Sequence, residues 1–115
     1  MEHKKKITHP SLKFVIETVE KDLSKNYTLG ELAESIKYSE RHMARIFKEE
    51  LGVTYSSYCA EKKLTHAKKL LEQTELTIGH ISKAIGIHSQ SYFCRLFKKH
   101  YGITPSQHRE LSTDN

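Results

Sequence analysis

The chain has 115 residues, enough for one compact domain or two very small ones, and 37% hydrophobic residues allow only a modest core. Charged residues make up 29% and give a net charge of +5, while no apolar run exceeds three residues (Phe14-Val15-Ile16), so no segment here can span a bilayer. Cys59 and Cys94 are lone and unclustered, which excludes a disulfide scaffold and leads us to expect reduced thiols in a cytoplasmic protein.

Residues 1–10 are polar and basic and are expected to be a flexible segment; Met1 to Lys6 have no apolar stretch behind them and do not read as a secretory signal. A first helix is predicted over 11–24, with Leu12, Val15, Ile16, Val19 and Leu23 on one stripe. Thr28 with Glu31 forms a capping box that opens a helix over 28–36. Ser39 caps the next helix, 39–51, whose buried stripe is Met43, Ile46, Phe47 and Leu51, and Gly52 suits its left-handed end. A long helix over 54–72 turns Tyr58, Leu64, Ala67, Leu70 and Leu71 inward and Lys62, Lys63, Lys68 and Lys69 largely outward. At about 1.5 Å per residue it spans roughly 28 Å. Thr77 caps 77–85, with His80 where the earlier box has glutamate, and Ser89 caps 89–101 over the stripe Phe93, Leu96, Phe97 and Tyr101. Gly102 ends that helix, and Thr104-Pro105-Ser106-Gln107 opens a last one over 105–110, before a polar tail expected to be flexible over 110–115. Period-two alternation is absent, so the fold is expected to be all-α with about seven helices.

The chain repeats itself. Thr28, Gly30 and Ile36 recur as Thr77, Gly79 and Ile85 at an offset of 49. Ser39, Arg45, Phe47, Lys48, Gly52, Thr54 and Ser56 recur at an offset of 50 as Ser89, Arg95, Phe97, Lys98, Gly102, Thr104 and Ser106. The offset changes near His88, where a turn tolerates one extra residue. The duplicated unit is a pair of short helices, 28–51 and again 77–101, linked by the helix over 54–72, and such pairs look like helix-turn-helix units whose second helix enters the major groove. Lys37 stands in the first turn where Gly86 stands in the second. A left-handed lysine would cost on the order of 1 kcal/mol, so the two turns are expected to differ.

The faces opposite the buried stripes offer Arg41, Ala44, Arg45 and Lys48 in the first unit, and Gln90, Ser91, Cys94, Arg95 and Lys98 in the second. Arginine forks onto guanine and glutamine pairs with adenine, so these residue types read bases. Between Glu75 and Glu110 there is no acid, while Lys83, Arg95, Lys98, Lys99 and Arg109 occur; residues 28–58 set four bases against five glutamates. An acid-free basic segment suits a polyanion, although a solvated lysine face or a helical module for an acidic protein would carry the same charge. No paired carboxylates, phosphate-cradling glycine loop or cysteine–histidine pair at helical spacing speaks for an enzyme. The eight histidines include no i,i+4 pair, so no metal site and no cofactor are expected.

The run Gly86-Ile87-His88-Ser89-Gln90-Ser91-Tyr92-Phe93-Cys94-Arg95-Leu96-Phe97-Lys98-Lys99, continued by Gly102-Ile103-Thr104-Pro105-Ser106-Gln107-His108-Arg109, resembles the signature of the AraC/XylS transcriptional regulators. The segment from Ser39 to Thr54 and the stretch Ala67-Lys68-Lys69-Leu70-Leu71 fit it too, so the resemblance covers about residues 11–109. It implies two helix-turn-helix subdomains joined by a rigid central helix, each placing one recognition helix in successive major-groove segments of double-stranded operator DNA. By position it implies base-facing roles for Arg41, Ala44 and Arg45, and for Gln90, Ser91, Cys94 and Arg95. It is joined by a phosphate-facing set of Ser39, Lys48, Lys63, Thr77, Ser89, Lys98 and Lys99. Ala44 and Cys94 can offer only apolar or weak contacts, such as to a thymine methyl. The family usually has an aromatic where this chain has Ile87, and an arginine where it has Lys63, which suits a point charge to phosphate better than a fork. A monomeric DNA-binding domain is implied, with RNA polymerase as partner if it activates; a small stand-alone regulator and a domain of a larger one both fit.

Overall fold

The computed structural model describes residues 9–113. Its helices are α1 (Pro10–Lys21), α2 (Leu29–Ser35), α3 (Glu40–Leu51), α4 (Tyr55–Gln73), α5 (Ile78–Ala84), α6 (Gln90–Tyr101) and α7 (Pro105–Thr113), with a 3-10 turn at Leu23–Lys25. The all-α expectation holds, with no strand among the described residues. The chain divides into two compact units, one through Ala60 and one from Glu61 onward, and α4 contributes to both.

In the first unit α2 and α1 pack on α3. Leu12, Val15, Val19, Leu32, Met43, Ile46 and Phe47 form its core, with Tyr55 and Tyr58 of α4 packed against it. Phe47 is fully buried and meets the edges of both rings, at centroid distances of 5.7 Å to Tyr55 and 5.4 Å to Tyr58. In the second unit α5 and α7 pack on α6, and Leu64, Ala67 and Leu71 of α4 join Ile81, Ile85, Phe93 and Phe97 in the core. Phe97 repeats the role of Phe47, against Tyr101 at 4.6 Å and Phe93 at 5.9 Å. Ser82 replaces Ala33 at the repeat-equivalent buried place, and its hydroxyl is satisfied by donating to the Ile87 carbonyl.

Helix starts follow the capping chemistry. Thr28 Oγ1 accepts from Glu31 N at 3.0 Å and the Glu31 carboxylate accepts from Thr28 N at 2.9 Å, closing the box. Thr104 and Gln107 make the same reciprocal pair at 3.1 and 2.9 Å. Gly52 and Gly102 end α3 and α6 in left-handed conformations, their N–H groups bonding the Lys48 and Lys98 carbonyls.

Four expectations need correction. α1 stops at Lys21, not residue 24, because the Asp22 carboxylate accepts from Ser24 N and Oγ and turns the chain, leaving Asn26 left-handed. His9 and Pro10, assigned to a flexible segment, are the N-cap and first residue of α1, where proline's missing N–H costs nothing; residues 1–8 lie outside the described ones. α7 runs to Thr113 instead of ending at 110, with Ser112 Oγ donating to His108 O and Thr113 Oγ1 to Glu110 O along its last turn, while 114 and 115 lie outside the described residues. The turns of the two units do not differ. Lys37 (φ 64°) and Gly86 (φ 84°) are both left-handed. Tyr38 N bonds Ala33 O and Lys37 N bonds Glu34 O, while Ile87 N bonds Ser82 O and Gly86 N bonds Lys83 O, the same double closure of a helix end.

Candidate nucleic-acid interface

In the first unit, burial of Met43, Ile46 and Phe47 leaves Arg41, Ala44, Arg45 and Lys48 together on the exposed side of α3. Ser39 Oγ accepts from His42 N at 3.0 Å; its own proton stays available to an acceptor outside. Glu40 folds its carboxylate back over the start of α2: a Cβ on Gly30 would stand 2.9 Å from Glu40 Oε1. The His42 ring stacks on Tyr38 at 5.1 Å and 22°.

The second unit repeats the arrangement. Phe93 and Phe97 of α6 are buried, and Gln90, Ser91, Arg95, Lys98 and Lys99 are exposed. Ser89 Oγ accepts from Tyr92 N at 3.1 Å, and Thr77 Oγ1 from His80 N at 3.1 Å, with His80 Nδ1 at 2.9 Å from the same hydroxyl. Gln90 lies over Gly79 as Glu40 lies over Gly30, with Oε1 2.9 Å from where a Cβ would be. The two repeated glycines therefore make room for the first side chain of the following helix, and that side chain, not the backbone, explains their recurrence.

The remaining expected residues are less open. Cys94 is half-buried, and burial pushes its thiol up from the ordinary value. Lys62, Lys63 and Lys68 of α4 are also half-buried where an outward face was expected, and Lys68 Nζ sits 5.2 Å from the Tyr101 ring centroid, its stem covering apolar surface. Arg109, counted with the basic surface, is instead half-buried and turned to the protein's own backbone, donating to Leu71 O at 3.3 Å and Thr74 O at 3.1 Å and closing the end of α4. Beside it His108 Nε2 lies 2.8 Å from Glu72 Oε2.

Sequence reasoning passed over Tyr92. It is 49% exposed on the α6 face, and the Arg95 guanidinium lies 5.9 Å from its ring centroid. The signal was present: an aromatic one position off a buried stripe has no core to enter. Among the described residues no group of three or more His, Cys, Asp or Glu is placed to hold a metal, and no helix is long and apolar enough to cross a membrane.

A helix-turn-helix domain family matches residues 32–111. The chain belongs to the AraC-type helix-turn-helix family. The bifunctional transcriptional activator/DNA repair enzyme AdaA of Bacillus subtilis is 38% identical over 98 residues, covering 85% of this chain and 46% of that protein. The transcriptional activator AggR of Escherichia coli is 40% identical over 90 residues, 78% of this chain and 34% of that protein. The chain thus spans a third to a half of these AraC-type relatives, but 83% of the probable transcription factor PqrA of Proteus vulgaris, to which it is 34% identical over 86% of its own length. Among solved structures, the C-terminal domain of AraT, a response regulator from Geobacillus stearothermophilus, superposes with a TM-score of 0.85 at 31% identity, over 90% of this chain and 86% of that one. The DNA-binding domain of AdpA, solved with a target DNA, shares the fold with a TM-score of 0.81 at 20% identity, over 90% and 93% of the two chains.

Proposed function

We propose that this chain is a sequence-specific double-stranded DNA-binding transcriptional regulator that puts α3 and α6 into successive major-groove segments. The observation that carries the reading is the pair of exposed faces at repeat-equivalent places, Arg41, Ala44, Arg45 and Lys48 on α3 and Gln90, Ser91, Arg95 and Lys98 on α6. Arg45 and Arg95 recur at the same place in both copies of the unit, as the central base-reading residues of each helix would. Cys94, at the edge of the second face, supplies an apolar contact. Lys48, Lys98 and Lys99, with the hydroxyls of Ser39, Thr77 and Ser89, hold phosphates, and Lys63 is the least accessible member of that set. The domain acts as a non-enzymatic, monomeric, cytoplasmic module with RNA polymerase as a partner where it activates.

Phosphate and base contacts leave different signatures. Selection from random DNA, followed by binding at several salt concentrations, separates them. Arg45→Ala should relax one base pair, at a cost of about 1–3 kcal/mol there. Lys98→Ala with Lys99→Ala should flatten the salt slope by about two for all sequences. Failure to enrich any DNA sequence would overturn the reading.

A further inference from the structure

We propose that Tyr92 is a positioning residue for Arg95, its exposed ring bracing the guanidinium so that the second unit offers a pre-oriented fork to one base pair. The inference rests on the DNA-binding reading above and concerns how its second unit discriminates. Tyr92 and Arg95 are three apart on α6 and so share a face, and the guanidinium carbon lies 5.9 Å from the ring centroid. The ring is 49% exposed, and the core cluster of this unit does not include it. A guanidinium resting on an aromatic face keeps its in-plane N–H groups free for a bidentate acceptor, and fewer rotamers remain to be frozen when DNA arrives.

The duplication provides an internal comparison. At the repeat-equivalent place in the first unit stands His42, and its ring is committed elsewhere, stacked on Tyr38 of the turn. In the second turn the residue that closes the helix end in the same way is Ile87, which packs against the core and offers no ring. His88, the extra residue of that turn, stands four before Tyr92 as Tyr38 stands four before His42, but among the described residues the two rings make no contact, and Tyr92 lies beside Arg95. The two units share their arginine but differ in how it is held: Arg95 is braced by its neighbour three residues back, whereas the equivalent neighbour of Arg45 is turned toward Tyr38.

The test uses the whole chain and DNA enriched by selection. Arg95→Ala first identifies the base pair that Arg95 reads, and competition among the four variants of that pair then measures discrimination. Tyr92→Ala should reduce that discrimination about two- to five-fold, the range for an exposed cation–ring contact. Tyr92→Phe, which keeps the ring and drops the hydroxyl, should retain it. In the Arg95→Ala background, Tyr92→Ala should change nothing further at that pair. His42→Ala should leave the pair read by Arg45 as it was. Because the ring is half in solvent, thermal midpoints of the Tyr92 variants should stay close to the parent's. Uniform weakening on all sequences, no loss in Tyr92→Ala, or a Phe variant that behaves like Ala would each overturn the brace. If selection enriches no sequence, or Arg95→Ala relaxes no pair, the DNA reading of this helix fails and the brace with it.

Discussion

Lys37 holds φ 64° in a turn whose counterpart, Gly86, adopts φ 84° with no Cβ to clash. The left-handed conformation costs an L-residue roughly 1 kcal/mol, and the double hydrogen-bond closure of α2 holds it there. Lys37→Gly should therefore stabilise the first unit by up to about 1 kcal/mol, less the extra freedom glycine has in the unfolded chain. Gly86→Ala should destabilise the second by a comparable amount. Thermal denaturation reads both, and a lower midpoint for Lys37→Gly would contradict the shared turn geometry. Cys94 lies on α6 of the second unit. Its half-buried thiol is held up by desolvation, so less thiolate is present near neutral pH than at a free cysteine. Alkylation of the folded chain, mapped by peptide mass, should be slower at Cys94 than in denaturant and should accelerate as pH rises. Equal rates folded and unfolded would show that the thiol is open.

Elements were legible where they rest on local chemistry. Thr28 with Glu31, Ser39, Ser89, and Thr104 with Gln107 mark helix starts because each satisfies amides within its own first turn. Helix ends were less legible. Leu23 continues the apolar period of α1, but the Asp22 side chain competes for the backbone, and periodicity carries no trace of that competition. α7 outlasts its expected end by three residues, where Ser112 and Thr113 hydroxyls bond back to the His108 and Glu110 carbonyls, and its tie to the end of α4 through Arg109 is non-local, to carbonyls thirty-odd positions earlier in the chain. The exposed faces of α3 and α6 could be read from the stripes of Met43, Ile46 and Phe47 and of Phe93 and Phe97, whereas the lean of Gln90 over Gly79 needed coordinates. Arg109→Ala should destabilise the second unit by about 1–3 kcal/mol, since it removes charge-assisted bonds to two carbonyls. It should leave the salt slope of DNA binding unchanged. A slope reduced by one with stability intact would put Arg109 on phosphate instead.

For the whole molecule, duplication sets the function. Each unit owns a core, a capped pair of helices and an exposed arginine at the same place, so each is equipped to read one DNA segment. The units are not equivalent electrically: Lys83, Arg95, Lys98 and Lys99 are exposed in the second with no acid between Glu75 and Glu110, while Glu40 and Glu49 are exposed along α3 in the first. Attraction to phosphate should fall mainly on the second unit and direct base contact should matter more in the first. On this reading one chain engages two major-groove segments about one helical turn, roughly 34 Å, apart. Affinity for a selected site is to be measured before and after five base pairs are inserted between its two boxes. Half a turn of B-DNA carries one box to the opposite face, so high-affinity binding should be lost; unchanged affinity would contradict the two-helix account.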